Sequence, residues 1–275
     1  MERPDVKVLQ EKSRELRKTV LKMLANAGSG HTGGSLSLIE ILVSLYMYKL
    51  RHDPKNPKWE GRDRLVLSKG HGCSALYAVL SEVGYFPKSE LMTFRKFGTR
   101  LQGHPQLGLP GVEASTGSLG QGLSIANGMA LAMRIDKSDA RVYCVMGDGE
   151  LNEGQVWEAA MTAAHYKLGS MCGIVDFNKI QIDGWCKDTM NMEPLGDKWR
   201  SFGWNVLECD GHDFGQLMNA LDDAADFEGA PSVILAHTIK GKGVSFMEND
   251  AKWHGIAPKQ DELEKALREI DGQGR

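Results

Sequence analysis

The chain has 275 residues, a formal net charge of −3, 41% hydrophobic and 25% charged residues, and five cysteines. That length can bury a sizeable core, while Lys and Arg scattered along a slightly acidic chain leave no footprint for nucleic acid or an anionic membrane surface. The charged start MERPDVKVLQEKSRELRK has no apolar region behind it, no stretch approaches a bilayer span, and an odd set of cysteines without CxxC spacing suggests reduced thiols and a cytoplasmic location.

In chain order, Val8, Leu9, Leu16, Val20, Met23 and Leu24 give an amphipathic helix over residues 5–27 that stops at the glycines around Ser29. A helix from about Leu36 to Leu50, a strand over Arg64 to Leu67 and a helix starting near His71 follow. The Gly- and Pro-rich stretch between Phe97 and Gly117 is long for a compact domain and reads as a segment that shapes a site. Val142 to Met146 form an apolar strand ahead of GDGELNEG (Gly147 to Gly154). Glu153 to Leu168 place Val156, Ala159, Ala160, Ala163, Ala164 and Leu168 at helical spacing, and Ile174, Val175 and Phe177 form a second strand ahead of FNKIQIDG (Phe177 to Gly184). Strands at Trp204 to Cys209 and Ser232 to His237, a helix at Phe214 to Ala225 and a charged helix over about 260–270 complete the chain. Alternating strands and helices without repeats argue for an α/β fold, a doubly wound parallel sheet flanked by helices, with residues 1–275 as a single domain.

Two parallel strands joined by a crossover helix deliver Asp148 and Asn178 side by side at their carboxyl ends, where open α/β sheets bind ligands. A hard divalent cation takes oxygen ligands shared with phosphate and water, so Asp148, Asn178 and the main-chain oxygen of Ile180 suit it. Gly147 and Gly149 leave room for a diphosphate to approach the backbone. A lone GDG is also compatible with an ordinary tight turn.

GDG followed one crossover later by Asn178 resembles the cofactor fingerprint of thiamine diphosphate enzymes, although Phe177 stands where the usual pattern has a first Asn. Together with NAGSGHTGGS (Asn26 to Ser35), LSKGHGCSALY (Leu67 to Tyr77), GHPQ (Gly103 to Gln106), STGSLGQG (Ser115 to Gly122), HTIKGKG (His237 to Gly243) and WHG (Trp253 to Gly255), it resembles the amino-terminal half of transketolase from about Asn26 to Pro258. Thr32 departs from the proline of most relatives, which bears on loop stiffness.

The resemblance implies a thiamine diphosphate-binding fold that takes thiamine diphosphate and Mg2+ or Ca2+, the metal on Asp148, Asn178 and Ile180. Lys240 would help neutralise the diphosphate, and His254 would contact the cofactor and assist proton transfer. Ser115 to Leu119 would lie under the aminopyrimidine, Gly117, Ser118 and Leu119 contacting it, and Gly34, Lys69 and Gly149 would join the cofactor-binding set. His31 and His104 would contact the hydroxyl and carbonyl oxygens of a ketose donor, with His71 bordering both ligands. Glu153 would share protons between paired sites across a subunit interface, and Glu158 would lie beside the cofactor, although both also suit the first turn of a helix. For His52, His165, His212 and His237 a surface or satisfied core role suffices.

The glutamate that activates the cofactor belongs to a second α/β domain in full-length transketolases, and this sequence stops before it. The resemblance therefore implies the N-terminal subunit of a split transketolase, paired as α2β2 with a C-terminal subunit; alone it would be nearly inactive. The assembly would move a two-carbon ketol unit from a ketose phosphate to an aldose phosphate, as in the pentose phosphate pathway. Alternatives are a relative acting on another ketose, one resembling deoxyxylulose-phosphate synthase, and a non-catalytic regulatory module.

Overall fold

A computed structural model describes residues 3–273. The first apolar stripe forms α1 (Val6–Ala27), begun by Asp5, whose carboxylate accepts the Lys7 amide, and closed by Gly28 in the left-handed region. A short α2 (Thr32–Leu36), absent from the expectations from sequence, stands before a break at Ser37 and Leu38. The helix expected from about Leu36 to Leu50 then runs unbroken over residues 39–49, as α3 (Ile39–Ser44) passing into a π-helical turn to Lys49. At the break, the Ser37 hydroxyl donates to the buried Asp176 carboxylate at 2.6 Å, a tertiary contact that overrides the helical pattern.

Strand β1 (Arg64–Leu67) leads through a 3-10 turn carrying His71 into α4 (Cys73–Glu82). Residues 97–117 contain no helix or strand, as their composition suggests. Helix α5 (Gln121–Ile135) has no counterpart in the expectations from sequence. Then come β2 (Val142–Gly147), the crossover helix α6 (Gly154–His165) and β3 (Met171–Phe177). Short α7 (Cys186–Thr189) and α8 (Leu195–Ser201) precede β4 (Asn205–Asp210), α9 (Phe214–Asp226), β5 (Ser232–His237) and α10 (Gln260–Ile270).

The five strands form one sheet in the order β1-β2-β3-β5-β4, and every pairing is parallel. Strand residues alternate between two cores: Tyr143 and Val145 face the layer of α1, α3, α4, α9 and α10, whereas Val142, Cys144 and Met146 face α5, α6 and α8. Each such side chain, removed from water, contributes about 1.5–3 kcal/mol, and burial on both faces explains the unbroken apolar run. All five cysteines are free and buried. Among the described residues no helix is long and apolar enough to cross a membrane.

Candidate active site

Parallel register places Gly147 of β2 beside Asp176 of β3, so the next residues, Asp148 and Asn178, leave the sheet at one edge of a cleft. Asp148 accepts the Gly149 amide at 2.8 Å and also the Lys179 amide, and Asn178 Oδ1 accepts the Ile180 amide at 3.1 Å. Both side chains are buried. Burial, with the charge of Asp176 adding to it, pushes the Asp148 carboxyl up to about 6. Across the cleft, Lys240 Nζ donates to the Ile180 carbonyl at 2.9 Å and lies 2.8 Å from His254 Nδ1. Burial, reinforced by the Lys69 cation, brings the Lys240 ammonium down to about 8.

Beneath these groups lies a buried ion pair, Lys69 to Asp176, at 2.6 Å. Lys69 also donates to the Gly34 carbonyl at 3.2 Å, while Asp176 accepts the hydroxyls of Ser37 and Thr238. Burial opposes ionisation of Asp176, but Lys69 and the hydroxyl donors outweigh it and hold the carboxyl below its ordinary value. Glu150, also buried, accepts the Ser68 hydroxyl and the amides of Gly120 and Gly147, tying the STGSLGQG segment to the GDG turn. Sequence reasoning named neither Asp176 nor Glu150. Their signals were an acid inside the apolar run MCGIVDF and a second acid two residues after Asp148.

The other end of the cleft is a cluster of imidazoles. The His31 ring centroid lies 5.1 Å from His71, 6.2 Å from His104 and 5.6 Å from His254. Burial lowers His31 to about 4 and His254 to about 3, sets His71 well below its ordinary value and lowers His104, where the Arg95 cation adds to the effect. Near neutral pH these rings are uncharged, each with one donor and one acceptor nitrogen. His31 Nδ1 is buried without a partner. Gly117, at φ +142°, passes so close to His104 that a β-carbon there would lie 2.8 Å from the ring. Glycine is required at that position.

Of the residues expected at the site, Gly34, Lys69, His71 and Leu119 line the same cleft as Asp148, Gly149, Asn178, Ile180, Lys240 and His254. Ser118 lines an adjoining depression with His104. Glu153 and Glu158 are outside the cleft: both are exposed, Glu153 at the start of α6 against Gly120 and Glu158 along the helix. His52 bonds the Tyr46 carbonyl, His165 is exposed at the end of α6 and His237 bonds Glu208. His212 is part of a buried charged cluster.

The family model for the transketolase thiamine diphosphate binding domain matches residues 9–273. The chain is 45% identical over 267 residues to the 6-deoxy-6-sulfo-D-fructose transketolase subunit SqwG of Clostridium sp. (strain MSTE9), with 97% of each covered. It is 41% identical to an apulose-4-phosphate transketolase subunit of Phocaeicola vulgatus, covering 96% of this chain and 94% of that one. The transketolase structure from Campylobacter jejuni superposes with a TM-score of 0.92 at 34% identity, over 98% of this chain but 43% of that one. The chain thus spans less than half of that longer protein. Shared fold, a family match across nearly the whole chain and relatives covered almost end to end agree that this protein belongs to the transketolase family and carries its thiamine diphosphate-binding domain.

Proposed function

We propose that this chain holds thiamine diphosphate and a divalent metal in a cytoplasmic two-chain transketolase, two copies pairing with two copies of a C-terminal-type subunit. The observation that carries the reading is the convergence, in one cleft, of oxygen donors at the ends of adjacent parallel strands with the neutral imidazoles of His71 and His254, beside which stand His31 and, in the adjoining depression, His104. No cluster of three His, Cys, Asp or Glu able to hold a metal occurs among the described residues. A cation here would rely on Asp148, Asn178 and the Ile180 carbonyl, an oxygen set that suits Mg2+ or Ca2+ shared with phosphate. Two buried polar atoms at the cleft without protein partners, Gln181 Nε2 and His31 Nδ1, are consistent with a polar ligand.

When bound, thiamine diphosphate supplies the carbon nucleophile that takes up a two-carbon ketol unit. The chain's own residues bind and orient. Lys240 offsets diphosphate charge, and Gly34 and Gly149 present no side chain to an approaching ligand. Gly117, Ser118 and Leu119 support the ring. His31 and His104 hydrogen-bond the sugar's hydroxyl and carbonyl oxygens, a task for which neutral imidazoles suit better than cations, and His71 borders both ligands. His254 exchanges a proton near the reacting carbon. Glu153, exposed at the start of α6, shares protons with the paired site across a subunit boundary, and Glu158 comes to lie beside the cofactor once a second chain covers it.

Donor and acceptor are a ketose phosphate and an aldose phosphate. The relatives named for 6-deoxy-6-sulfo-D-fructose and apulose 4-phosphate support including sulfonated and branched ketoses beside xylulose 5-phosphate. The test is reconstitution with the partner chain, thiamine diphosphate and Mg2+, followed by ketol transfer across these donors. Transfer supports the reading. Its absence with every sugar, or reaction with pyruvate and glyceraldehyde phosphate instead, overturns it, and failure to bind thiamine diphosphate would indicate a regulatory module.

A further inference from the structure

Beside the segment that carries Lys240, two buried side chains, Arg17 and Glu40, meet the largely buried His212, and none of the three touches an expected ligand. Arg17 of α1 donates from Nη2 to Glu40 Oε2 of α3 at 2.6 Å, with both side chains 7% exposed. The same carboxylate oxygen is 2.9 Å from Nδ1 of His212, in the turn between β4 and α9. His212 Nε2 accepts the Ile239 amide at 2.8 Å. That contact fixes the tautomer: a main-chain N–H only donates, so Nε2 holds the lone pair, and Nδ1 carries the proton given to Glu40. Burial opposes ionisation of Glu40, yet Arg17 and His212 keep the carboxyl below its ordinary value.

Such a cluster is weak evidence for stability, because desolvation offsets most of the attraction and an apolar trio could pack as well. What it fixes is direction. Arg17 has a second arm, Nε donating to the Lys242 carbonyl at 3.1 Å. The cluster therefore grips the main chain at Ile239 and at Lys242, bracketing Lys240. Between the grips, the Gly241 amide donates to the Gly33 carbonyl at 3.0 Å, and Gly241 has φ +79°, where a β-carbon would overlap the Met247 carbonyl. Only glycine fits this passage, so the segment has no side chain of its own at Gly241 to anchor it and is held by its neighbours.

We propose that Arg17, Glu40 and His212 are positioning residues that hold the main chain on both sides of Lys240 and so aim its ammonium at the cleft. This deepens, and rests on, the reading of Lys240 as the cation facing a diphosphate.

The test compares His212→Asn, which keeps a donor toward Glu40 but loses the acceptor for Ile239, with His212→Gln, whose carboxamide oxygen can stand near the position of Nε2. Glu40→Gln is the third variant. In the full chain, acetylation of Lys240 by an amine-reactive ester is followed by mass spectrometry, with Lys69, equally buried, as an internal control. The expected result is labelling of Lys240 about tenfold faster in His212→Asn and Glu40→Gln, the scale of coupling such networks carry, with Lys69 unchanged and His212→Gln near wild type. Thiamine diphosphate affinity of the assembled enzyme should weaken by a similar factor, while kcat at saturating cofactor holds. Continued protection of Lys240, or Lys69 labelling that rises with it, overturns the proposal, the second because general loosening would then be the cause. Should the wild-type assembly fail to bind thiamine diphosphate, the role given to Lys240 falls, and the labelling pattern still judges the positioning on its own.

Discussion

At the cleft's Asp148 end, each carboxylate is held by protein: Asp148 by two main-chain amides, Asp176 by Lys69 and two hydroxyls, Glu150 by a hydroxyl and two amides. At the His31 end, His31, His71 and His254 lie within contact range of one another and His104 within range of His31, and one buried nitrogen has no partner. The first set sits on or just beyond strand ends; the second comes from turns and loops. The Asp148 end is organised before any ligand arrives, whereas the imidazole end is left unsatisfied and gains its hydrogen bonds from what enters.

Removing a foundation of the organised end should cost most. Asp176→Ala leaves Lys69 buried without its partner, and a buried pair broken on one side loses about 3–5 kcal/mol. Urea unfolding should show that loss as a lower midpoint with an unchanged slope. A loss below about 1 kcal/mol would mean that water reaches Lys69 and that this end is not sealed.

Asp148→Asn breaks the comparison in another way. The carboxylate is buried close to Asp176, so removing its charge relieves repulsion and desolvation, while the new carboxamide NH2 is left facing one of the two main-chain amides that Asp148 accepts. The effects offset, and thermal unfolding of the unliganded chain should stay near wild type. Mg2+-dependent thiamine diphosphate binding in the assembled enzyme should nonetheless weaken by about 100-fold or more, measured by calorimetry. Stability nearly unchanged beside a large loss of binding is the mark of a group kept for its ligand.

The imidazole end should show itself through pH. In the unfolded chain these rings take up protons near 6.5, whereas burial delays that to about 4 for His31 and about 3 for His254. Between those values the unfolded chain binds more protons, so stability falls as pH drops from about 6.5 to about 3 and levels below that. Both rings are partly exposed, which limits the loss to the order of 2 kcal/mol. Chemical denaturation across that window should show the slope, and the double variant His31→Asn/His254→Asn should reduce it, leaving the share of His71 and His104.

The same division governed what could be read from sequence. The β2–α6–β3 unit was legible because apolar runs and a helical stripe bracket GDG and Asn178, and parallel topology then forces the two ends together. The histidines stood out because each follows a glycine or sits in a short motif. Helix α5 was not legible, since Gly122 and Gly128 interrupt its pattern and the glycine-rich segment before it reads as loop; Gly122 is there because a β-carbon would collide with Ser68. The break at Ser37 could not be foreseen either, because its partner Asp176 lies 139 residues away. The Arg17–Glu40–His212 cluster leaves no local spacing at all, and His212 read as a bland histidine for that reason.

A smaller effect tests the sugar-facing role directly. His104→Asn should lower kcat/KM for ketose donors in the assembled enzyme by about tenfold, the scale of one hydrogen bond to substrate, with thiamine diphosphate affinity unchanged. A matching loss of cofactor affinity would move His104 from the open end of the cleft to the organised one.

The smallest effect concerns Glu158, whose expected place beside the cofactor contrasts with its exposure on α6. In the chain alone, Glu158→Gln should leave unfolding within about 0.5 kcal/mol, as for most surface changes. In the assembly, cofactor affinity should move by less than about threefold, since one exposed charge is largely screened by solvent and salt. A larger loss in the assembly, with the isolated chain unaffected, would mean that the partner closes over α6 and turns Glu158 into a buried contact. The cleft would then have a third end, supplied by the second chain, and the contrast between an organised and an open half would describe the unassembled subunit only.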